Sequence, residues 1–279
     1  MNKQSLLGHL ACFLAYAIFG FNIIVCKDLT ADRLISPLAI FTLRSVGAGA
    51  LFWLISLFTP KEKVEKKDYV RIFVASMLGF FVCQVTFLAG IPHITPMDCS
   101  VLSAISPIYT MIIAAIVLKE PITLQKAGGA AETSLFGILM LVLNSLSFSL
   151  YLGIFKPLIG KYSVVTFMKW IFLFAFAVSA PFSAGEIVTL DFSVIPTIQL
   201  AELAYLILCA TFITYFLIPV GQKRIRPTLV SMYSYVQPII AIVISITVGM
   251  EVLTWQKVLA ALMVFGGVVV VSYSKSHLG

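Results

Sequence analysis

Arg44 is the eleventh residue of an apolar run, Leu34–Phe58, and no other strongly basic group lies so deep in one. A charge at that depth costs roughly 2.5–3.5 kcal/mol to insert into a bilayer, so it must face a wet or polar interior. Its planar guanidinium suits a carboxylate or phosphate. A structural pairing with an acid or a helix end would satisfy it too. Other apolar runs carry neutral polar and aromatic side chains: Tyr16, Asn22, Gln84, Tyr109, Asn144, Tyr151, Tyr215, Tyr233, Tyr235 and Gln237. Gln84, Asn144 and Gln237 are the hardest to read as packing, because a lone amide in hydrocarbon needs partners. The expected polar core is Arg44 on an acidic group, with Gln84, Tyr109 and Gln237 shaping the pocket. Ser100, Ser103 and Pro107 share one helix face, as do Ser231, Ser234 and Pro238, but serines so spaced also serve close helix packing. Lys169 is shallow enough to snorkel to the headgroups. Its neighbour Trp170 fits an interface anchor or a cavity wall.

Other chemistries find no footing. Glu120 and Glu251 end their apolar runs, as Asp98 and Glu202 begin theirs, which suits gating or helix-end contacts. No carboxylate sits mid-run, so proton carriage through a buried acid has no clear candidate, and any movement of solute would be facilitated, exchange-driven or coupled through a residue near the surface. His9, His93 and His277 are far apart and form no H-E-x-x-H zinc site. No glycine-rich phosphate loop occurs. Catalytic residues, metal ligands and cofactors are therefore not expected. Cys12, Cys26, Cys83, Cys99 and Cys209 are scattered and read as small buried apolar residues.

These residues are positioned by a chain of 279 residues, 60% apolar and 11% charged, with mean hydropathy +1.05. A soluble protein averages about 25% charged. This composition predicts an all-α polytopic membrane protein. The net charge of +7 is spread in short bursts between apolar runs, which argues against nucleic-acid binding. Nine runs reach the length of about 20 residues that a spanning helix needs. They are Leu6–Val25, Leu34–Phe58, Tyr69–Gly90, Met97–Leu118, Leu135–Phe155, Ser163–Phe182, Gln199–Val220, Thr228–Gly249 and Thr254–Tyr273. Lys61, Lys63, Lys66, Lys67 and Arg71 place the second connection, and with it the N-terminus, in the cytoplasm. Lys27 and Arg33 in the first connection run against this rule.

The chain also repeats itself. Ser100–Ala130 lies over Ser231–Ala261 without a gap, matching Ser103/Ser234, Pro107/Pro238, Glu120/Glu251 and Lys126/Lys257. A weaker match sets Gly8–Lys27 over Gly137–Lys156, with Phe19/Phe148 and Lys27/Lys156. Matched prolines mid-span suggest kinked helices beside a midplane site between repeats. The sequence resembles the drug/metabolite transporter superfamily, and within it the EamA-type transporters. The resemblance rests on Phe19-Gly20-Phe21-Asn22 leading to Lys27, on Ala89–Pro107 running to Lys119-Glu120-Pro121, and on Tyr235-Val236-Gln237-Pro238 running to Glu251 and Gly266-Gly267. It implies two tandem five-helix repeats in inverted orientation, here 1–130 and 134–279. It also implies a carrier of the inner (plasma) membrane that moves small organic solutes, exporting metabolites such as amino acids by alternating access. The expected partners are the bilayer, a small organic solute and, in a dimer, a second copy. The alternatives are an intramembrane enzyme with dispersed catalytic residues and a truncated, inactive homologue.

One span of that pattern is wanting. Gln125-Lys126 leads directly through Ala127–Thr133 to Leu135–Phe155, which aligns with helix 1 and so stands for helix 6, leaving helix 5 missing. Nine crossings would put Lys156, Lys161, Lys223, Arg224, Arg226 and Lys275 outside, against the positive-inside rule. The sequence thus reads as a ten-span protein that has lost about 20 residues near Ala127–Ser134, leaving a defective packing face.

Overall fold

The computed structural model describes residues 3–31, 34–96, 99, 102 and 134–249. Every element among them is helical. Seven helical stretches are long and apolar enough to cross a membrane: Lys3–Ala31, Pro37–Ser56, Lys66–His93, Leu135–Ile154, Val164–Thr189, Thr197–Gln222 and Pro227–Thr247. They coincide with seven of the expected spans. The runs at Met97–Leu118 and Thr254–Tyr273, and with them Pro107, Tyr109, Glu120 and Glu251, lie outside the described residues, as does the expected gap near Ala127.

We label α1 (Lys3–Ala31), α2 (Pro37–Ser56), α3 (Lys66–Ser76), α4 (Cys83–Gly90), α5 (Leu135–Ile154), α6 (Lys156–Lys161), α7 (Val164–Thr189), α8 (Thr197–Tyr205), α9 (Thr214–Gln222), α10 (Pro227–Met232) and α11 (Val236–Thr247). Serines start three of them. The hydroxyls of Ser36, Ser134 and Ser163 accept from Ala39 N, Gly137 N and Thr166 N at 3.1–3.2 Å, each satisfying a helix-terminal amide. Inside two spans the helix loosens. A π-helical turn, Met77–Val82, joins α3 to α4, and another, Leu206–Ile213, joins α8 to α9. The two turns fall at matching places in the two halves. Pro238 lies mid-span as expected: the helix passes through a 3-10 turn, Tyr233–Tyr235, and resumes as α11 just before it.

The halves run in opposite directions. α2 packs antiparallel along α7, pairing Thr42 with Ser183 and Phe52 with Phe172. Across the halves, α1 of the first packs on α9 of the second, as α5 of the second packs on α4 of the first. Lipid gives apolar helices no reason to associate, so close backbone approach matters. At Gly20 an added methyl would meet Ile240 Cβ at 2.7 Å, so glycine sets the α1–α11 distance.

Contacts at the two ends identify the faces. Asp68 accepts from Lys161 Nζ at 2.6 Å and Tyr162 OH at 2.7 Å, while Arg224 Nε donates to Gln4 Oε1. These bonds place the 156–163 and 223–226 connections on the same face as the N-terminus and Lys61–Arg71. Nine crossings implied the face opposite the N-terminus for Lys156, Lys161, Lys223, Arg224 and Arg226; these contacts instead put their connections on the face of the N-terminus, the one the positive-inside rule assigns to the cytoplasm. The physical reason is at the other face, where Ser134 N donates to His93 O at 3.3 Å. α5 thus begins beside the end of the third described span, and α4 and α5 run antiparallel. That outer face carries Asp28, Glu186, Asp191 and Glu202.

Both faces are latched. Outside, Glu186 accepts from Ser36 N at 2.7 Å and from its hydroxyl at 2.5 Å. Inside, Lys161 also pairs with Glu65 at 2.5 Å. The matched lysines do matched work. Lys27 Nζ crowns the carbonyls of Ile91, Pro92 and Ile94 at 2.8–3.2 Å, and Lys156 Nζ donates to Ile225 O at 3.0 Å, each closing the carboxyl end of its half's third span. Lys27 therefore stands on the outer face as a helix cap, which explains its exception to the charge rule.

Two outcomes are expected. With Cys209→Ser as background, an impermeant maleimide applied to intact cells should label Val194→Cys and leave Gly160→Cys unlabelled until the membrane is opened; early labelling of Gly160→Cys would reverse the second half. The Lys161 ammonium holds the Glu65 carboxyl below the usual carboxylate range, and Asp68 with Glu65 raises Lys161. A depressed carboxyl stabilises the fold above its unfolded pKa and loses that contribution as pH falls; a raised lysine contributes below its unfolded pKa and loses it as pH climbs. The melting temperature of purified protein should therefore drop below about pH 4, and Lys161→Met should flatten that acid limb.

Candidate functional site

Between the halves lies a partly open cavity lined by polar and aromatic side chains, the make-up typical of a small-molecule site. α1 supplies Tyr16, Phe19, Asn22 and Ile23; α4 supplies Cys83, Gln84 and Phe87; α5 supplies Asn144, Ser145 and Phe148. Ser234 and Gln237 complete it from the broken helix at Pro238. The 3-10 turn and proline thus have a local consequence, since they bring two polar side chains to the wall at the kink. Among the described residues no charged side chain lines the cavity.

Five of the residues singled out from the sequence meet here: Tyr16, Asn22, Gln84, Asn144 and Gln237. Tyr215 stands directly behind. Its hydroxyl accepts from Gln84 Nε2 at 3.0 Å and donates to Gly79 O at 3.2 Å. Its ring packs edge-on against Phe19, Phe80 and Phe172. Tyr151 is buried between Phe148 and Phe155, with its ring where a methyl on Gly79 would have to go. Tyr235 is half-buried in the 3-10 turn. Pro238 is buried at the start of α11.

Arg44 is wholly buried and does not line the cavity. Its Nε donates to Thr211 Oγ1 at 2.8 Å, and Thr211 donates onward to Leu206 O at 2.6 Å inside the π turn. Nη1 and Nη2 have no acceptor among the described residues. A guanidinium so placed ties α2 to the loosened stretch of the sixth described span. Lys169 lies over the Trp53 ring at 4.8 Å, and Trp170 packs on Trp53 and Tyr69, an aromatic group near the cytoplasmic face and away from the cavity. His9 Nδ1 lies 2.7 Å from Tyr233 OH at that same end.

Sequence reasoning missed Cys83, Phe87, Ser145 and Phe148 as wall residues, and read Ser234 as a packing serine. The repeat held a usable signal. Phe19 and Phe148, paired in the weaker internal match, both line the cavity, and so do Tyr16 and Ser145 at the same offset. Residues that correspond between the halves converge on the axis relating them. The five cysteines are free thiols, four of them buried.

The comparisons with known proteins agree with this architecture. The model of the EamA-like transporter family matches residues 6–131 and 135–273. An uncharacterized transporter of Archaeoglobus fulgidus is 27% identical over 48% of this chain, and the match spans about half, 52%, of that relative. The uncharacterized transporter YetK of Bacillus subtilis is 23% identical across 99% of this chain and 89% of its own length. A solved crystal structure with 15% identity superposes at a TM-score of 0.68 over 100% of this chain and 99% of its own, a likeness of fold. Two family matches on seven apolar spans around an inter-half cavity make the chain a multi-pass membrane transporter rather than an enzyme, and it belongs to the EamA-like transporter family.

Proposed function

We propose that this protein is a secondary transporter of the plasma membrane that exports small metabolites, amino acids among them, by alternating access around the inter-half cavity. The observation that carries the reading is the cavity's make-up: carboxamides, serines and aromatic rings from both halves, with no described charge in the wall. Such a wall suits solutes without net charge, zwitterions included. It also assigns Arg44 a different part from gripping an acidic group. The guanidinium braces α2 against Thr211. With no carboxylate in the described wall, movement proceeds by facilitated flux or exchange. The two loosened turns, Met77–Val82 and Leu206–Ile213, sit where the halves must shift past one another, and π turns often mark such places. The expected repeats, 1–130 and 134–279, are the units we propose to move.

The test is counterflow of a radiolabelled amino-acid mixture into proteoliposomes holding the full chain. Saturable, stereospecific flux is expected, and Asn144→Leu should cut it at least about tenfold, because a polar side chain of the cavity wall is lost and Cys83 O loses its side-chain donor. Leu54→Ala, at the lipid-facing surface, should leave it unchanged. Flux linear in concentration would sink the carrier reading, and flux that follows an imposed pH gradient would sink the uncoupled one.

A further inference from the structure

Three polar atoms of the cavity wall have no partner among the described residues: the Tyr16 hydroxyl, Gln84 Oε1 and the Ser234 hydroxyl. Their side chains are 1%, 6% and 2% exposed, so bulk water does not satisfy them. Buried polar groups elsewhere in a folded protein are almost always paired. Other unpartnered atoms, such as Tyr151 OH and Gln222 Oε1, lie outside the cavity lining, whereas these three share the wall of one cavity, the arrangement of a place built for a guest.

The kind of guest follows from hydrogen bookkeeping at Gln84. The Tyr215 hydroxyl has one hydrogen, and it goes to Gly79 O. The same oxygen can then only accept from its other neighbour, so the group facing it must be the Gln84 NH2, as observed at 3.0 Å. The amide is thereby held in one of its two orientations, and its carbonyl oxygen is left for the cavity. Asn144 commits its hydrogens similarly, to Cys83 O at 2.6 Å and Cys83 Sγ at 3.1 Å. A carbonyl oxygen pairs with a donor and repels another acceptor.

We infer that the cavity recognises its solute through a nitrogen-borne hydrogen, an amine or amide N–H set against Gln84 Oε1, and that Tyr215 is the positioning residue that keeps the Gln84 amide from turning over. The inference rests on the cavity being the solute site, and it adds the polarity by which that site selects. The flanking Phe19, Phe87 and Phe148 rings take the apolar part of the solute.

Benzamide and N,N-dimethylbenzamide test it, since both carry the ring and the carbonyl and only the first has N–H groups. Binding to the purified full chain is measured by calorimetry, beside its melting temperature as a check of folding. Benzamide is expected to bind at least about tenfold more tightly, because the dimethyl probe leaves a buried acceptor unpaired. Gln84→Leu should erase the difference, and Gln84→Glu, which keeps an acceptor, should preserve it. Tyr215→Phe should bring the ratio of the two affinities close to one, which a purely structural role would not do. Equal affinity for the two probes, no affinity for either, or a preference that survives Gln84→Leu overturns the inference. The counterflow result for Asn144→Leu is independent of all these, so a failed donor preference and a failed transport site remain separate findings.

Discussion

A bilayer interior offers a polar atom no water, and that shortage orders this protein from its ends to its centre. Serine hydroxyls close helix starts at Ser36, Ser134 and Ser163. Lysine ammonium groups close helix ends at Ile91–Ile94 and Ile225. Where the backbone loosens at Leu206–Ile213, Thr211 and Thr214 donate to carbonyls five residues back, Leu206 O and Cys209 O. Among the described residues the shortage goes unmet at scattered buried atoms, Arg44 Nη1 and Nη2, Tyr151 OH and Gln222 Oε1 among them, and at three atoms gathered on the cavity wall.

The two halves are held by surfaces that differ in chemistry with depth. At the faces, carboxylates do the joining: Glu186 on Ser36 outside, Asp68 on Lys161 and Tyr162 inside. At mid-depth an aromatic layer replaces them, with Phe80 touching Phe41, Phe172 and Tyr215, and Phe52 stacked on Phe172 at 5.4 Å. Rings pack without demanding fixed hydrogen-bond partners, so such a layer tolerates relative movement better than a polar network would. Firm latches at the rims around a permissive middle suit the rocking of the halves proposed above.

Hydropathy revealed the described spans because depth in a membrane depends on composition alone. It could not reveal which way a side chain faces around its helix. Arg44 shows this: its depth marked it as polar-facing, yet its azimuth turns it towards Thr211 behind the wall. Tyr215 and Tyr151 were flagged for the same reason and also stand behind. Ser145 and Phe148 escaped notice because a serine beside an asparagine, or one phenylalanine among many, looks like ordinary packing. The π turns left no trace in composition, since one added residue per turn changes geometry and not hydropathy. Orientation of the basic loops depends on counting crossings, and one crossing more or fewer inverts everything downstream. The lysine match at Lys27 and Lys156 was visible, but its meaning as a pair of helix caps needed coordinates.

Gln84 and Tyr215 occupy corresponding positions in the two halves, and they are different amino acids joined to one another across the axis. Two identical residues would have made the centre a mirror of itself, offering any guest two equivalent poses related by a half-turn. The mismatch removes that degeneracy. One half presents an amide oxygen and the other a ring whose hydroxyl is already engaged. If the cavity is the solute site, as proposed, divergence at this one pair of positions would let a near-symmetric frame hold an asymmetric guest in a single attitude.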